Sequence, residues 1–531
     1  MVMLMPFRAC CSTQARSASL LSNLIPSLSV KRLLATHPNP VQLRAFSSTT
    51  TRQLRTTELQ PTHFPSLKCQ SDRLWDDIHS TASFGEGRRY GDESEETGLS
   101  RLTLSDSDKQ ARDWFVETTK SLGCEVTVDS IGNIFAIRPG IKNDVPATFV
   151  GSHLDSQPLG GRFDGVLGVC AGVEMLRVLD DNWIETEGPV GVVNWTNEEG
   201  ARFPISMMGS GVWAGARDLQ ATYDLQEVSA GADGRRCTVK EELERIGYLG
   251  STPAQLKDGG MRMAGHFELH IEQGPRLLSM KKKVAAVTGV QAYKWFEVHV
   301  NGQSCHSGTT PMNFRNDALY LASRLIHNAN RLARDQYNHT RKQYLASVGI
   351  ITASPGSVNT VADHVMFTLD IRAETDEELQ AFETMIRESF SEMVLDVKQK
   401  VGRPGFKKGD KKAALDKAGK GTLSVEIRET FHSPAAKFDE TAVGFVVGAA
   451  RGVLGEGEKK VPRMISGAGH DSVNTARHCP TAMVFVPCKD GVSHHPEEWC
   501  EEEDCAVGTD VIIQSVLRFD QWRSEQGHFA G

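Results

Sequence analysis

The sequence Ala147-Thr-Phe-Val-Gly-Ser-His153 is the clearest indication of the fold class of this chain. It is an apolar run that ends in polar residues, and it precedes a segment from about Gly165 to Leu179 whose apolar residues recur at helical spacing. A buried strand followed by an amphipathic helix is half of a βαβ unit. Three further apolar runs, at residues 190–195, 267–271 and 483–486, have the composition of strands buried in a parallel sheet. The sequence therefore predicts an α/β domain.

A different pattern, β-α-β-β-α-β, fills residues 289–432. This order is the ferredoxin-like split motif, and it interrupts the α/β domain, which we expect to consist of residues 58–288 and 433–531. Residues 400–420 are rich in lysine and glycine and predict a solvated basic loop insertion. The predicted elements of the inserted domain are Trp295–Val300, Asn316–Ala333, Leu345–Thr352, Val365–Arg372, a helix from Thr375 to about Val397, and Leu423–Thr430.

Residues 1–57 differ in charge from the rest of the chain. They contain seven Lys or Arg, eight Ser and no acidic residue, whereas the whole chain has 59 Lys or Arg, 67 Asp or Glu and a net charge of -8. An acid-free start rich in Arg and Ser is typical of a mitochondrial transit peptide, and Arg44-Ala-Phe-Ser-Ser48 resembles a processing site. We therefore expect the mitochondrial matrix as the location, with the cytoplasm as the alternative if residues 1–57 are a disordered tail.

Composition excludes several classes of protein. A chain of 531 residues with 39% hydrophobic and 24% charged residues is long enough for several globular units. The acidic balance argues against a nucleic-acid surface, and no apolar run reaches the roughly 18 residues of a membrane span. Eleven cysteines without a C-x-x-C pair indicate a reducing compartment.

Polar side chains cluster where the predicted strands end. The ligand crevice of an open α/β sheet lies beyond the carboxyl ends of its strands, so these clusters are expected to converge. Their histidines and carboxylates suit two divalent ions bridged by one carboxylate, and the lack of thiolates favours zinc, with manganese, cobalt or nickel as substitutes. The clusters are His153-Leu-Asp155 with Asp164, Asn197-Glu198-Glu199-Gly200, His270-Ile-Glu272-Gln273-Gly274, and Ser493-His494-His495.

Glu198 and Glu199 cannot both face the same ion, because neighbouring side chains of an extended segment diverge. One is expected to bind metal and the other to act as general base. Asp155 is placed to hold the second imidazole nitrogen of His153. Each cluster alone has a plainer interpretation, since Glu pairs usually face solvent and Asp164 could cap the following helix. The ordered combination favours a metal centre.

Six motifs carry a resemblance to a known family. They are similar to those of the dizinc amidohydrolases of the M20 peptidase superfamily, in the hydantoinase/carbamoylase branch. That branch contains N-carbamoyl-L-amino acid hydrolases, allantoate amidohydrolase and fungal β-alanine synthase (β-ureidopropionase), and the resemblance covers nearly everything after about residue 70. The motifs are Gly151-Ser-His-Leu-Asp-Ser, Gly160-Gly-Arg-Phe-Asp-Gly165, Thr196-Asn-Glu-Glu-Gly-Ala-Arg-Phe203, His266-Phe-Glu-Leu-His-Ile-Glu-Gln-Gly-Pro275, His306-Ser-Gly-Thr-Thr-Pro311 and Ser466-Gly-Ala-Gly-His-Asp471.

The resemblance implies a mixed-sheet metallohydrolase domain with helices on both faces, two zinc ions per subunit, and an inserted ferredoxin-like lid that also forms a homodimer. His495 stands where relatives often have Asn, so either histidine of the pair could be the ligand, and we favour His494. The implied roles are metal binding for His153, Asp164 (bridging), Glu199, His270 and His494; general base for Glu198; oxyanion stabilisation for His306, from its own or the partner subunit, and His470; and substrate binding for Gln273, Asn359 and Arg372.

The expected reaction is zinc-dependent hydrolysis of a linear ureido C–N bond. It would remove the carbamoyl group from a small-molecule substrate such as N-carbamoyl-β-alanine or an N-carbamoyl-L-amino acid, with release of ammonia and carbon dioxide. The alternatives are an allantoate amidohydrolase, a dipeptidase or aminopeptidase with the same metal centre, and a noncatalytic binding protein on an old enzyme fold.

Overall fold

A computed structural model describes residues 67–230, 234–400, 423–455 and 460–528, with their side chains except those of residues 397–400. The predicted presequence of residues 1–57 lies outside the described residues, as does the basic insertion beyond residue 400. No helix within the described ranges is both long and apolar enough to cross a membrane.

The first segment of the chain alternates helices and strands, as its apolar runs predict. Its elements are α1 (Ser71–Ala82), β1 (Glu86–Arg89), β2 (Thr97–Leu99), α2 (Asp106–Ser121), β3 (Glu125–Val128), β4 (Ile134–Arg138), β5 (Ala147–His153), α3 (Val166–Asp181), β6 (Val190–Trp195), α4 (Met208–Trp213), α5 (Leu219–Tyr223), α6 (Val239–Ile246), β7 (Met263–Ile271), α7 (Arg276–Met280) and β8 (Ala285–Val290).

The next segment forms a separate antiparallel sheet with two long helices. Its elements are β9 (Ala292–Asn301), α8 (Ala318–Thr340), β10 (Leu345–Ser347), β11 (Ile351–Ser354), β12 (His364–Ala373), α9 (Asp376–Lys400) and β13 (Ser424–Ser433). The final segment returns to the first sheet, with β14 (Ala436–Lys437), α10 (Glu440–Leu454), β15 (Arg463–Ser466), α11 (Ser472–Thr475), β16 (Thr481–Val486) and α12 (Glu502–Glu525).

The large sheet is mixed, as expected. Its strand order is β3-β4-β6-β5-β7-β16-β8-β14, and β15 also pairs with β8. β5 runs parallel to β6 and β7, and β16 runs parallel to β7, whereas β3 and β4 at one edge and β14 at the other pair antiparallel. Every residue of β5, β6 and β16 is buried, as is usual for central parallel strands. The carboxyl ends of the parallel strands β5, β6, β7 and β16 therefore lie along one edge of the sheet.

Helices cover both faces of the large sheet. Because side chains alternate along a strand, neighbouring residues enter different cores. Val150 and Val192 share a core with α3, whereas Phe149 and Val193 pack in a smaller core with Trp213 of α4. The prediction of an α/β domain with a mixed sheet and helices on both faces is confirmed.

The second sheet has the order β10-β12-β9-β13, with β11 also paired to β12. All of its pairings are antiparallel, and α8 and α9 pack on one face around Phe296, Val298 and Phe367. On the opposite face, Trp295 and Phe431 pack against the core of the first domain. The second sheet thus has a core of its own and joins the first domain through aromatic contacts.

The run Leu345–Thr352 predicts one strand, but the structure contains two. Leu345 pairs with Arg372, and Ile351 pairs with Phe367, so the register between them shifts by one residue. An extra residue in one strand of an antiparallel pair is a β-bulge. The bulge interrupts the strand beside Gly349 and adds β11 to the predicted element order.

Candidate metal centre

The four polar clusters of the sequence converge at the carboxyl edge of the large sheet. His153 is the last residue of β5, and His270 is the penultimate residue of β7. The Glu198-Glu199 pair follows β6, and the loop after β16 supplies His494. Asp164 belongs to the segment that connects β5 to α3 along the same edge, and it is buried.

Asp164 occupies the centre of this arrangement. Its Oδ1 atom lies 3.0 Å from Nε2 of His270 and 3.6 Å from Nε2 of His153. Its Oδ2 atom lies 3.3 Å from Nε2 of His494. The two carboxylate oxygens therefore face different histidines, which is the placement that a bridging ligand requires.

Backbone carbonyls orient two of the imidazoles. Nδ1 of His153 lies 2.9 Å from the carbonyl of Asp155, and Nδ1 of His270 lies 2.9 Å from the carbonyl of Ile271. A carbonyl only accepts hydrogen bonds, so both rings carry a proton on Nδ1 and direct Nε2 toward Asp164, which leaves Nε2 as the atom that could bind a metal ion.

The expected role of Asp155 needs correction. Its carboxylate lies 3.9 Å from Nδ1 of His153, too far for a hydrogen bond, and instead accepts the backbone N–H groups of Glu198 and Glu199 at 3.3 Å each. The chain turns directly after β5, which brings the carbonyl of Asp155 rather than its side chain against the ring. Asp155 thus fixes the glutamate pair, not the imidazole.

The two glutamates diverge as predicted. Oε2 of Glu198 lies 3.6 Å from Nε2 of His153, whereas Oε2 of Glu199 lies 3.4 Å from Nε2 of His494 and accepts a hydrogen bond from Gln157 at 2.8 Å. His495 is exposed, and its Nδ1 atom accepts the backbone N–H of Glu497. Of the histidine pair, the structure therefore brings His494 to the cluster.

The donor set fits divalent cations. Two groups of side chains, His153 with Asp164 and His270, and Asp164 with Glu199 and His494, each offer ligand atoms that lie within 4.8 Å of one another. Within the described ranges, Asp164, Glu198 and Glu199 have no Lys or Arg partner. Buried carboxylates are normally paired or coordinate metals, and imidazole nitrogen and carboxylate oxygen are ligands for zinc and its neighbours.

The buried charges shift each other's pKa values. Burial raises the pKa of Glu198 well above its usual range, and the charges of Asp471, Glu199 and Asp164 raise it further. Burial alone would lower the pKa of His494, but its hydrogen bond to Asp164 and the charge of Glu199 raise that pKa to about 9. These groups hold protons tightly when no cation is bound, so protons and metal compete for the site.

Local backbone geometry also marks this edge of the sheet. Asn197, Gln273 and His494 have φ values of 54°, 56° and 54°, a left-handed conformation that costs about 1 kcal/mol or more in residues other than glycine. Gly165 has a φ of 70°, and a Cβ atom there would lie 2.3 Å from the imidazole of His153. The surrounding fold therefore holds these loop residues in conformations that are unfavourable for the isolated backbone.

Two more predicted residues reach the cluster. Nε2 of Gln273 donates to Oδ2 of Asp164 at 2.6 Å. The buried ring of His470 lies 4.5 Å from that of His270, centroid to centroid, and its Nε2 atom is 2.8 Å from Oγ of Ser466. Burial and the neighbouring His270 hold the pKa of His470 well below 6.5, so its ring is neutral.

Arg372 lies beside the His470 loop. Its guanidinium pairs with Asp370 at 2.6 Å, donates from Nη1 to the carbonyl of Gly467 at 2.7 Å, and stacks over Tyr293 at 4.9 Å from the ring centroid. It is therefore near the metal-ligand cluster, with its donors engaged by protein groups.

His306 and Asn359 do not join this cluster within one chain. Both are exposed, and they are neighbours, since His306 pairs with Thr360 and the N–H of Ser307 donates to the carbonyl of Asn359. They adjoin the amino end of β12, and Arg372 lies at its carboxyl end. At about 3.3 Å per residue these ends are roughly 26 Å apart. Asn359 and Arg372, both implied substrate-binding residues, therefore lie at opposite ends of β12 within one chain.

Sequence reasoning missed the buried Glu498. Its carboxylate accepts the backbone N–H groups of Phe163 and Asp164 at 3.0 Å each and the hydroxyl of Ser493 at 2.8 Å. The same hydroxyl also lies 3.1 Å from Oδ2 of Asp164. Glu498 thus joins two ligand loops. The available signal was its position beside the apolar Trp499 and Cys500, which indicates burial.

The chain is similar to known hydrolases over most of its length. The model of Peptidase family M20/M25/M40 matches residues 149–518. An N-carbamoyl-L-amino-acid amidohydrolase of Rhizobium meliloti is 34% identical over 450 residues, which are 85% of this chain and 96% of the relative. A ureidoglycolate hydrolase of Oryza sativa subsp. japonica is 30% identical over 84% of each chain.

A solved structure is similar over the same length. The amidase of the hydantoinase/carbamoylase family from Burkholderia vietnamiensis superposes with a TM-score of 0.71 and 37% identity, over 86% of this chain and 98% of that one. The similarity therefore includes both sheets.

Proposed function

Because the chain belongs to Peptidase family M20/M25/M40, in its hydantoinase/carbamoylase branch, we propose that it hydrolyses the ureido C–N bond of N-carbamoyl amino acids with two divalent metal ions. The observation that carries this proposal is the position of Asp164, whose two oxygens face two separate groups of metal-binding side chains. The chain is an amidohydrolase that acts on non-peptide C–N bonds, and relatives similar over most of its length are named N-carbamoyl-L-amino-acid amidohydrolases.

The proposed metal ligands follow the observed grouping. His153 and His270 would hold one ion, Glu199 and His494 the other, and Asp164 would bridge them. We propose zinc for both positions, since the donors are imidazole and carboxylate without thiolate. When bound, the ions would polarise the scissile carbonyl and lower the pKa of the attacking water.

Glu198 is the proposed general base. It stands beside His153 and away from His494, so it is free to take a proton from the water that attacks the ureido carbon. The proton that Glu198 takes from the water would then pass to the leaving nitrogen. Hydrolysis consumes one water and yields the free amino acid, carbon dioxide and ammonia.

His470 and Arg372 are proposed to bind the substrate. The neutral ring of His470 can donate a hydrogen bond to the developing oxyanion, a contact that is worth several kcal/mol in a buried site. Arg372 offers a planar two-point grip on a carboxylate once it exchanges its contact with the Gly467 carbonyl for the ligand. The amide of Gln273 would orient the substrate beside Asp164.

The second sheet is proposed to be the ferredoxin-like lid and the dimer contact. His306 and Asn359 are exposed far from their own Arg372, so a second copy of this chain would bring them to the site. Exposed apolar side chains support such a contact, among them Met312 and Phe314 beside the His306 loop and Ile351 on the edge strand β11.

Ammonia release from a substrate panel tests the proposal. We expect turnover of N-carbamoyl-β-alanine or N-carbamoyl-L-amino acids and none of dipeptides, because the contacts proposed for Arg372 and Gln273 suit a small ureido acid. Ureidoglycolate and allantoate belong in the panel, since a relative is named ureidoglycolate hydrolase. Turnover of dipeptides alone would favour a peptidase, and no turnover of any compound would favour a binding protein.

We propose the mitochondrial matrix as the location, on the basis of the acid-free composition of residues 1–57. The amino terminus of the protein isolated from mitochondria should begin near Arg44–Ser48. An intact Met1 on cytosolic protein would contradict import.

A further inference from the structure

A cavity of about 420 Å³ lies apart from the metal-ligand cluster and shares no lining residue with it. We call it the junction cavity. It lies between residues 431–437, which connect the second sheet to the large one, the turn at Ala216 and Arg217 after α4, and Val473 to Arg477 of α11 and the residues after it. The junction cavity is therefore lined in part by the segment that connects the two domains.

The lining of the junction cavity is basic. Arg217, His432, Lys437 and Arg477 line it, and no Asp or Glu is among the described residues that do so. His432 has an acidic neighbour, Asp376, at 3.7 Å, which lies outside the cavity. A concave surface with several cationic groups and no carboxylate has a positive potential that attracts anions.

Among these four residues, Arg217 gives the strongest indication that the cavity binds an anion. It is half-buried, stacks on Phe431 at 5.2 Å from the ring centroid, and has no ion pair or side-chain hydrogen bond within the described part of the chain. Burial lowers the pKa of its guanidinium. A guanidinium withdrawn from water without a counter-charge is costly, and an anion that binds it recovers that cost.

Residues that line the junction cavity also contact residues of the proposed active site. Phe431 stacks on Tyr293 at 5.5 Å between ring centroids, and Arg372 lies on the same Tyr293. Met207, another lining residue, donates its N–H to the carbonyl of Glu198 at 2.7 Å. A ligand held by Arg217 would therefore rest against residues that contact the proposed base and the substrate arginine.

We propose that the junction cavity binds a small oxyanion, held by the guanidiniums of Arg217 and Arg477 and distinct from the substrate carboxylate site at Arg372. The ligand would carry a compact group with two or more oxygens that share negative charge. Free phosphate, free sulfate and the carboxylate of an organic acid all provide such a group. The apolar surfaces of Phe431, Met207 and Val473 leave room for a short carbon chain beside the charged group.

Calorimetric titration of the metal-loaded protein with phosphate, sulfate and acetate, at constant ionic strength, tests this proposal. Arg217→Gln and Arg477→Gln should each raise the Kd for the preferred anion by about tenfold or more. Arg372→Gln should leave that Kd unchanged, and so should Arg334→Gln, an exposed arginine on α8 that gives the same charge change. The anion with the lowest Kd identifies the source of the oxyanion.

Two results would overturn the proposal. One is an anion affinity that both Arg217→Gln and Arg477→Gln retain. The other is an affinity that only Arg372→Gln removes, because the anion would then occupy the substrate site. Arg477 is exposed, so its variant is expected to fold even if Arg217→Gln does not.

An effect on catalysis rests on the proposed function. If the protein hydrolyses N-carbamoyl amino acids, the preferred anion should change kcat in the native protein and not in Arg477→Gln. Anion binding without turnover of any ureido acid would leave the junction cavity in place and remove only the proposed function.

Discussion

At the residue scale, the adjacent glutamates after β6 have separable roles. Glu198→Gln keeps the shape of the side chain and removes the proton acceptor, so turnover should fall by about 10²- to 10⁴-fold while metal content stays the same. Glu199→Gln weakens a proposed ligand and should lower metal content. Elemental analysis and ammonia release on the same preparations measure both. A Glu198→Gln protein with native turnover would show that another group is the base.

Glu498 is expected to support metal binding although it is not a proposed ligand. Its carboxylate holds the backbone of Asp164 and the hydroxyl of Ser493, so Glu498→Gln should loosen two ligand loops and weaken metal affinity by about tenfold. The matched control is Glu497→Gln, an exposed neighbour that should change nothing. Competition with a chelator measures the affinity, and equal values for the two variants would contradict the role of Glu498.

Residue identity predicted which side chains meet at the sheet edge, but not their geometry. His153, Glu199, His270 and His494 converge because strand ends of a parallel sheet share an edge. The roles of Asp155 and Glu498 depend on how loops turn after the strands. Hydrogen bonds to backbone N–H groups decide those turns, and they leave no periodic pattern in the sequence.

At the element scale, the attachment of α1 should depend on pH. His79 on α1 accepts a hydrogen bond from Arg162 at 2.9 Å and packs with Trp75 and Trp499. Burial and the charge of Arg162 lower its pKa from 6.5 to about 4. The unfolded chain therefore binds a proton more readily than the folded one between these values, and the free energy of unfolding should fall as the pH falls from about 6.5 toward 4.

Urea denaturation at pH 7.5 and pH 5 measures this effect. His79→Gln cannot be protonated, so it should lose less stability between the two pH values than the native protein does. Chelator treatment of both proteins removes the contribution of metal release. The same loss in both proteins would exclude His79 as a cause.

Elements were predictable where the pattern was long and the environment uniform. Continuous apolar runs predicted β5, β6 and β16, which are buried on both faces. The division of residues 345–354 into β10 and β11 was not predictable, because a bulge changes the register without changing the alternation around it. The ends of β7 and α8 also extend beyond the predicted runs, since tertiary packing continues them.

At the scale of the whole molecule, the site is proposed to form between two copies of the chain. Protein carrying His306→Ala and protein carrying Glu198→Gln should each have little activity alone. When mixed under conditions that exchange subunits, they should recover about a quarter of native activity, because half of the dimers are mixed and each mixed dimer has one intact site.

A monomer in sedimentation, or no recovery on mixing, would contradict the shared site. Co-expression of the two variants with different affinity tags gives the mixed dimer in pure form. It should then have about half of native activity. The sequence alone could not place the His306 loop at the opposite end of β12 from Arg372, because that placement depends on the pairing of the loop after β9 with residues 359 and 360.

The cluster around Asp164 is proposed to bind metal, and this metal is proposed to be required for the hydrolysis of a ureido acid. The most direct measurement is ammonia release from the N-carbamoyl amino acid that the panel identifies, before chelation, after chelation, and after addition of zinc, manganese, cobalt or nickel. We predict about two metal ions per chain at full activity, loss of activity with loss of metal, and recovery on reconstitution. Full activity in a metal-free protein would contradict a catalytic role for the metal.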